Sequence, residues 1–193
     1  MTEESAESVS LETGDIIFTN GSGVQAEAVK AATSSDWTHT GMIIIEKGKP
    51  MVLEAVQPVQ FISLERYLAR GGGKYTHVYK RLKDRSKLTP EAQQKAMLWA
   101  KKHLGGNYDG RFLWSDNNLY CSELIWKIYQ VSTGIELCEV RRVRDYQLEH
   151  PKVQALIKAR FGSIDRLKLD EKVVAPSDVF HSPLLVEIKP EKK

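Results

Sequence analysis

The chain has 193 residues, of which 41% are hydrophobic and 27% are charged, and its formal net charge at pH 7 is +3. This composition is typical of a folded domain whose core needs neither disulfide nor metal, and it excludes an intrinsically disordered chain. No apolar run reaches the roughly 20 residues of a transmembrane helix, and basic residues alternate with acidic ones, so neither a membrane span nor a nucleic-acid surface is predicted.

Both ends of the chain lack a hydrophobic pattern. Residues 1–13 are rich in glutamate and serine, and they have neither the basic start nor the apolar core of a signal peptide. We therefore expect an acidic, flexible tail over 1–13 and no export signal. Residues 187–193 are mostly charged and predict a second tail. A single domain is expected over 14–186, since neither a repeat nor a low-complexity linker divides it.

The first elements of this domain are a strand and a helix. The run 14–18 is short and apolar, and an Asn-Gly-Ser-Gly turn follows it, as expected at the end of a buried strand. Strong helix formers over 24–32 predict a helix with an apolar face at Val24, Ala28 and Ala31.

A β-hairpin is predicted next. The run 37–45 is apolar on both faces, which is typical of a central strand covered on both sides, and 51–56 is its returning partner. If Lys47-Gly48 forms a two-residue turn, Glu54 lies opposite Gly41. A slip of one residue would turn Glu54 to the other face of the sheet, so this placement depends on the length of the loop.

The same register brings Glu54 close to His39, which stands at the entrance of the first hairpin strand. The two side chains share one face of the predicted sheet, one diagonal step apart, which is within their reach. A carboxylate inside an apolar strand needs a partner, because an unpaired buried charge is costly. Two other interpretations stay open: His39 bonded to backbone at a strand end, and Glu54 paired with an arginine or a lysine.

Further elements are predicted from apolar spacing, caps and glycines. They are a short helix at 63–68, a glycine break at 71–73, a strand at 75–82, a helix from Pro90 to about His103, a helix after Pro151 that ends near Gly162, and a short helix at 176–180. Between them lies a polar and aromatic loop, 107–117, which contains Tyr108. Loops of this kind often shape functional sites.

Cys121, one of only two cysteines, begins a predicted helix. Apolar residues recur after it at helical spacing, namely Leu124, Ile125, Ile128 and Val131. A helix N-terminus carries partial positive charge and unpaired N–H groups, which favour a thiolate over a thiol and can hold an oxyanion. Cys121 is therefore a candidate nucleophile. On this stretch alone, the alternative is that Cys121 is a small buried side chain of the core.

Together, Cys121, His39 and Glu54 supply a thiol nucleophile, its base and a group that orients the base. We expect the Glu54 carboxylate at Nδ1 of His39, where it would fix the tautomer, and the ring beside the thiol in a thiolate–imidazolium pair. The five histidines show no paired ligand spacing, so neither a metal nor a cofactor is predicted.

Five short motifs point to a known family. In chain order they are His39-Thr40-Gly41-Met42, Leu53-Glu54-Ala55-Val56, Gly106-Asn107-Tyr108-Asp109, Trp114-Ser115-Asp116 and Tyr120-Cys121-Ser122-Glu123. Between about Gly14 and Phe180 the chain resembles the YiiX-type branch of the circularly permuted papain-like amidases, which are relatives of the NlpC cell-wall peptidases. The histidine precedes the cysteine, as a permutation implies.

The resemblance implies an α+β fold with a central antiparallel sheet packed against the helix that carries the cysteine. It implies that Cys121 is the nucleophile, His39 the base and Glu54 the third polar residue. It also places Tyr108 at the site. Tyr108 and Ser122 are then candidates for substrate binding or for stabilising the oxyanion.

The resemblance further implies hydrolysis of an amide through an acyl-enzyme. The expected substrate is a cell-wall peptide, an amino-acid amide or an acyl-lipid, and the expected location is the cell envelope if a leader has been trimmed and otherwise the cytoplasm. Three alternatives stay open: an acyltransferase or thioesterase acting on lipid-like acyl groups, a non-catalytic module that binds peptides or lipids, and a redox protein that pairs Cys121 with Cys138. A homodimer is neither predicted nor excluded.

Overall fold

The computed structural model describes residues 8–191, so the parts of the predicted tails at 1–7 and 192–193 lie outside the described residues. The strands are β1 (Ser8–Val9), β2 (Ile16–Asn20), β3 (His39–Glu46), β4 (Lys49–Glu54), β5 (Gln60–Ser63), β6 (Thr76–Leu82), β7 (Arg141–Arg142), β8 (Lys172–Val173) and β9 (Leu185–Pro190). The helices are α1 (Val24–Thr33), α2 (Leu64–Leu68), α3 (Pro90–His103), α4 (Cys121–Thr133), α5 (Pro151–Phe161) and α6 (Pro176–Phe180).

Most of the strands belong to one layer. Seven of them form a sheet in the order β1-β9-β6-β2-β3-β4-β5. Neighbouring strands are antiparallel except for the edge pair β1 and β9, which is parallel. A separate antiparallel pair joins β7 to β8. The predicted α+β fold with a central antiparallel sheet is therefore confirmed, and α4 packs against β3 and α3.

The two faces of the sheet bury different side chains, because neighbouring residues of a strand point to opposite sides. The main core lies where the sheet meets α3 and α4, and its members include Ile16, Phe18, Met42, Ile44, Leu53, Ala96, Ala100, Leu124 and Ile125. A smaller core on the other face consists of Ile17, Ile43, Val52 and Tyr67, the last of which comes from α2. Covering on both faces explains why the run 42–45 of β3 is apolar on both sides of the strand.

The β3–β4 hairpin has the predicted register. Lys47 and Gly48 form its two-residue turn, and both have the positive φ (49° and 75°) that a type I′ turn requires. Met42 pairs with Leu53. Glu54 therefore lies at the end of β4, on the same side of the sheet as the even loop length predicts.

Both predicted tails were wrong where the structure describes them. Ser8–Val9 form β1, residues 187–190 belong to β9, and Thr13 Oγ1 accepts a hydrogen bond from the backbone N–H of Ile45 (2.9 Å). The physical reason is that β1 at the edge of the sheet and β9 beside it are held by backbone hydrogen bonds, so they form strands without the apolar pattern on which the prediction relied.

The helices largely follow their predictions. Thr89 is the N-cap of α3, with its Oγ1 accepting the N–H of Ala92 (3.2 Å), and the helix ends at His103 as predicted. Two apolar faces differ, since Val24 is 77% exposed and Val131 is 47% exposed. Both residues lie in the terminal turn of their helix, beyond the core. Within residues 8–191, no helix combines the length and the apolar character needed to cross a bilayer.

Candidate active site

Cys121 is buried at the first position of α4. The helix begins there because extended Tyr120 is its N-cap residue and the Glu123 carboxylate accepts the backbone N–H groups of Tyr120 (3.5 Å) and Ser115 (3.0 Å). Lys127 lies 2.8 Å from the same carboxylate. Burial nevertheless raises the pKa of Glu123 to about 7, since Lys127 offsets only part of the desolvation.

His39 and Glu54 meet across the hairpin, as predicted. Oε2 of Glu54 lies 2.8 Å from Nε2 of His39. The expectation that the carboxylate would sit at Nδ1 is wrong: Glu54 is fully buried, and the far nitrogen of the ring is the one that reaches it. The ring of Tyr67 stacks beside the imidazole, with centroids 6.2 Å apart, and supports this orientation.

Glu54 has partners in addition to His39. Arg70 donates from Nη1 to Oε2 (2.7 Å) and from Nη2 to Oε1 (2.5 Å), and Gln60 Nε2 donates to Oε1 (3.0 Å). Burial acts to raise the pKa of Glu54, but the hydrogen bonds and charges of His39 and Arg70 outweigh it and lower the pKa to about 2. The two interpretations of Glu54, a histidine partner and an arginine ion pair, thus hold together.

The Cys121 thiol and the His39 imidazole lie close enough for each to shift the pKa of the other. Burial acts to raise the pKa of the thiol, but His39 outweighs it and lowers the pKa, helped by the backbone N–H groups of Thr40 and Ser122. Burial likewise acts to lower the pKa of His39, whereas Cys121 and Glu54 raise it to about 10. Both shifts favour a thiolate–imidazolium pair at neutral pH.

Tyr108 lies in the loop before α4, and its hydroxyl accepts a hydrogen bond from Nε2 of Gln25 (2.7 Å). Arg160 of α5 in turn donates from Nη2 to Oε1 of Gln25 (2.5 Å). Burial, and then the charge of Cys121, raises the pKa of Tyr108, so the phenol keeps its proton. A phenol that accepts from Gln25 still has that proton to donate.

The side chain of Ser122 is engaged elsewhere. Its hydroxyl donates to the carbonyl oxygen of Val174 (2.6 Å), and the residue is buried. This bond ties α4 to the segment that follows β8. At the thiol, Ser122 contributes its backbone N–H, and its assignment to substrate binding or to the oxyanion stays a prediction.

An apolar cavity opens at Cys121. It lies between α1, α5 and the segments 143–148 and 167–176, and its empty volume, mouth included, is about 860 Å³. Aliphatic and aromatic side chains make up most of its wall, among them Ala28, Val29, Ala32, Phe112, Val153, Leu156, Ile157, Phe161, Leu167, Val173 and Val174. Tyr108 and Gln25 belong to the same wall.

Three residues that shape this site are not predicted by the sequence motifs: Arg70, Gln25 and Arg160. The sequence feature that marks the position of Arg70 is the glycine run after it. Glycine is needed there because Gly71 has φ 64° and a Cβ would lie 2.6 Å from the ring of Tyr75. Gln25 and Arg160 have no such feature, since their contact depends on how α1 packs against α5.

Neither a disulfide nor a metal cluster is present in the part of the chain that the structure describes. Cys121 and Cys138 are both free thiols, and burial raises the pKa of Cys138 to about 12. The redox alternative therefore lacks the disulfide on which it depends. Between residues 8 and 191, no three His, Cys, Asp or Glu side chains converge in a way that could hold a metal ion.

Comparison with known proteins gives consistent matches. The family model described as the permuted papain-like amidase enzyme, YaeF/YiiX, C92 family, matches residues 10–189. The uncharacterized protein YiiX of Escherichia coli strain K12 is 41% identical over 181 residues, which are 93% of this chain and 87% of the relative. The crystal structure of metalloprotein yiiX from Escherichia coli O157:H7 matches with a TM-score of 0.83 at 41% identity, covering 94% of this chain and 98% of that one.

Proposed function

The chain belongs to the permuted papain-like amidase family and is a cysteine amidase or peptidase, and from this premise we propose that it hydrolyses a long-chain acyl amide. In this proposal Cys121 is the nucleophile, His39 is the base and acid, and Glu54 orients His39. The single observation that carries the choice of substrate is the apolar cavity at Cys121.

The cavity favours an acyl chain over a cell-wall peptide. Each buried methylene contributes about 0.8 kcal/mol on leaving water, and the aliphatic walls suit such a chain. A peptide would bring N–H and C=O groups that need hydrogen-bonding partners. The polar wall residues Gln25, Tyr108 and Arg160 are already bonded in series, so few partners remain for a peptide backbone.

Acylation begins from the thiolate–imidazolium pair. The Cys121 sulfur attacks the amide carbonyl carbon, and the carbon–oxygen double bond gives an oxyanion. As the carbon–nitrogen bond breaks, His39 passes its proton to the departing amine. Glu54, held anionic by Arg70, keeps the ring oriented through Nε2. The products of this step are a free amine and a thioester on Cys121.

The oxyanion is stabilised by groups that are fixed before the reaction. The backbone N–H of Cys121 stands at the N-terminus of α4, where the helix presents partial positive charge. The Tyr108 hydroxyl, turned by Gln25, supplies a second donor. In the second half-reaction His39 takes a proton from water, and the resulting hydroxide attacks the thioester. The carbon–sulfur bond then breaks, which releases the carboxylic acid and returns Cys121 to its thiolate.

The Escherichia coli O157:H7 relative is described as a metalloprotein, so the fit of a metal to this site matters. The oxygens of Glu54 already accept bonds from Arg70, Gln60 and His39. A metal held by Glu54 and His39 would have to displace the arginine. The residues present do not fit a metal centre, and no step is assigned to one.

A chain-length series tests the proposal. The substrates are 7-amino-4-methylcoumarin amides of saturated acids from acetic to palmitic, and release of the fluorescent amine gives kcat/KM. We expect kcat/KM to rise by up to about fourfold per methylene, the equivalent of 0.8 kcal/mol, until the cavity is filled. Cys121→Ala should abolish the activity on every substrate.

Two alanines of α1 give a matched pair of variants. Ala32 lines the cavity and Ala31 does not, so Ala32→Leu should shorten the preferred chain while Ala31→Leu should not. Equal rates for the acetyl and lauroyl amides, or faster cleavage of a dipeptide amide than of the lauroyl amide, would contradict an acyl-amide substrate and favour a peptide.

A further inference from the structure

A second cavity adjoins the candidate active site on the side of His39. We name it the head-group groove; it is lined by Thr19, Gly21, Ser22, Gln25, Ala26, Thr38, His39, Val56, Tyr67, Arg70, Tyr75 and His77. Gln25 and Thr38 line both the groove and the apolar cavity. The two spaces therefore meet at the thiolate–imidazolium pair, one on the cysteine side and one on the histidine side.

The chemistry assigns the two sides of the scissile bond to these two spaces, an assignment that rests on the proposed function. The acyl carbon bonds to Cys121, so the acyl chain extends into the cavity that Cys121 lines. The leaving nitrogen receives its proton from His39, so the substituent on that nitrogen extends past His39. The groove lined by His39 is the space on that side.

The groove is rich in hydrogen-bond donors, and none of the described residues that line it is acidic. Arg70 has five N–H donors and uses two of them on Glu54. Its side chain is 33% exposed. Tyr75 and Ser22 add hydroxyl groups that lie 3.4 Å apart.

His77 lines the groove, and one nitrogen of its ring has no partner among the described residues. Its Nδ1 lies 3.0 Å from the Thr19 hydroxyl, which also contacts the Tyr67 hydroxyl at 2.8 Å. Its Nε2 is buried and has no partner among the described residues. An unpaired buried nitrogen costs free energy unless a ligand or water satisfies it. Burial lowers the pKa of His77, so the ring is neutral at pH 7 and Nε2 can donate when Nδ1 accepts from Thr19.

We propose that the head-group groove binds an anionic group, a carboxylate or a phosphate, carried by the leaving amine, with Arg70, Tyr75 and His77 as its donors. Arg70 and His39 both bond to the carboxylate of Glu54, so they lie close together. An anionic group held by Arg70 is therefore separated from the scissile nitrogen beside His39 by only a few covalent bonds of the substrate. An N-acyl amino acid and an N-acyl aminoalkyl phosphate both have this spacing.

The test measures binding without turnover. Three ligands are titrated calorimetrically into the Cys121→Ala protein: N-lauroylglycine, its neutral analogue N-lauroylglycinamide, and N-lauroylphosphoethanolamine. We expect N-lauroylglycine or N-lauroylphosphoethanolamine to bind about tenfold more tightly than the neutral amide, the equivalent of about 1.4 kcal/mol, because hydrogen bonds to a charged group are the stronger ones. The tighter of the two identifies a carboxylate or a phosphate.

Three variants in the Cys121→Ala background assign the preference to the groove. His77→Phe keeps an aromatic ring and removes both ring nitrogens, so the tenfold preference should fall to about twofold. Tyr75→Phe should reduce the preference as well. This variant replaces His77→Phe in the test if circular dichroism shows that His77→Phe is misfolded. Tyr79→Phe is the matched control, since Tyr79 lies on the same strand outside the groove and should keep the preference.

The outcomes separate this proposal from the proposed function. Equal affinity for all three ligands would overturn the head-group groove, but it would not contradict binding of the acyl chain in the apolar cavity. A preference that survives both His77→Phe and Tyr75→Phe would place the anion elsewhere and also overturn it. If none of the lauroyl ligands binds, the proposal that the apolar cavity holds an acyl chain is wrong, and the assignment of the groove fails with it.

Discussion

The protonation state of Cys121 depends on three other side chains. His39 lowers the pKa of the thiol, Glu54 raises the pKa of His39, and Arg70 keeps Glu54 anionic. Burial opposes every charged form in this series, so each member depends on its neighbour for compensation. Removing one of them should therefore change the titration of the thiol and not merely its surroundings.

The pH dependence of Cys121 alkylation tests this relation at the level of single residues. Iodoacetamide reacts with the thiolate, so in the parent protein the rate should already be at its plateau below the ordinary thiol pKa of about 8.5. In His39→Ala the lowering effect is gone and burial remains, so the reaction should require a pH above about 8.5. Mass spectrometry identifies the modified cysteine.

Cys138 and His103 provide the controls for that measurement. Burial raises the pKa of Cys138 to about 12, so it should stay largely unmodified near pH 7. His103 is a buried histidine of α3, and His103→Ala should leave the profile of Cys121 unchanged. Identical profiles for the parent and His39→Ala would show that no activated pair exists.

The β3–β4 hairpin is the element that brings His39 to Glu54. A Cβ at Gly41 would lie 2.5 Å from Cγ1 of Val52 and 3.0 Å from the carbonyl oxygen of Leu53. The absence of a side chain at Gly41 therefore allows β4 to approach β3 closely, one residue before Glu54. This close approach sets the position of Glu54 relative to His39.

Gly41→Ala tests the contribution of that close approach. The added methyl should push β4 away, lower the free energy of unfolding by about 1–3 kcal/mol, and reduce kcat by displacing Glu54 from His39. Thermal unfolding and steady-state kinetics measure the two effects. Gly110→Ala is the control, because a Cβ there would meet nothing closer than Arg160 at 3.7 Å. A Gly41→Ala protein with parental stability and kcat would contradict the hairpin register of Glu54 and His39.

At the scale of the whole molecule, the candidate active site lies where separate layers meet. The sheet supplies His39 and Glu54, α4 supplies Cys121, and the packing of α1 against α5 forms part of the wall of the apolar cavity. The buried carboxylate of Glu54 couples the site to global stability, because it is paired in the folded protein and free in the unfolded one.

Acid unfolding measures that coupling. The pKa of Glu54 falls from 4.5 to about 2 on folding, so its contribution to stability is complete above pH 4.5 and is lost as the pH falls through 2. We expect the free energy of unfolding of the parent, relative to Glu54→Gln, to decrease by about 3 kcal/mol over this range.

Urea unfolding at a series of pH values provides the numbers for both proteins. Glu65 is exposed, so Glu65→Gln should follow the parent at every pH. Glu123 acts in the opposite direction, because its pKa is raised to about 7 and its contribution is lost as the pH rises from 4.5 through 7. It is present in all three proteins and cancels in the comparison. A constant difference between the parent and Glu54→Gln down to pH 2 would contradict the depressed pKa.

The sequence by itself determined the local elements and the register of one hairpin. Apolar spacing and caps predicted α3, α4 and the strands around them, and the even loop at Lys47-Gly48 placed Glu54 beside His39. These predictions succeed because helix periodicity, capping and turn geometry depend on residues that are close in the chain. The motif around Cys121 added the family, which the comparisons confirm.

Only the tertiary structure decided which groups surround that site. The choice of Nε2 over Nδ1 at His39, the ion pair of Glu54 with Arg70, and the Gln25–Tyr108 bond each depend on packing between elements that are distant in sequence. Charged β9 and the cavity between α1 and α5 likewise have no local signature. The physical reason is that a local pattern sets which face of an element is apolar, whereas the partner of that face is chosen by the fold as a whole.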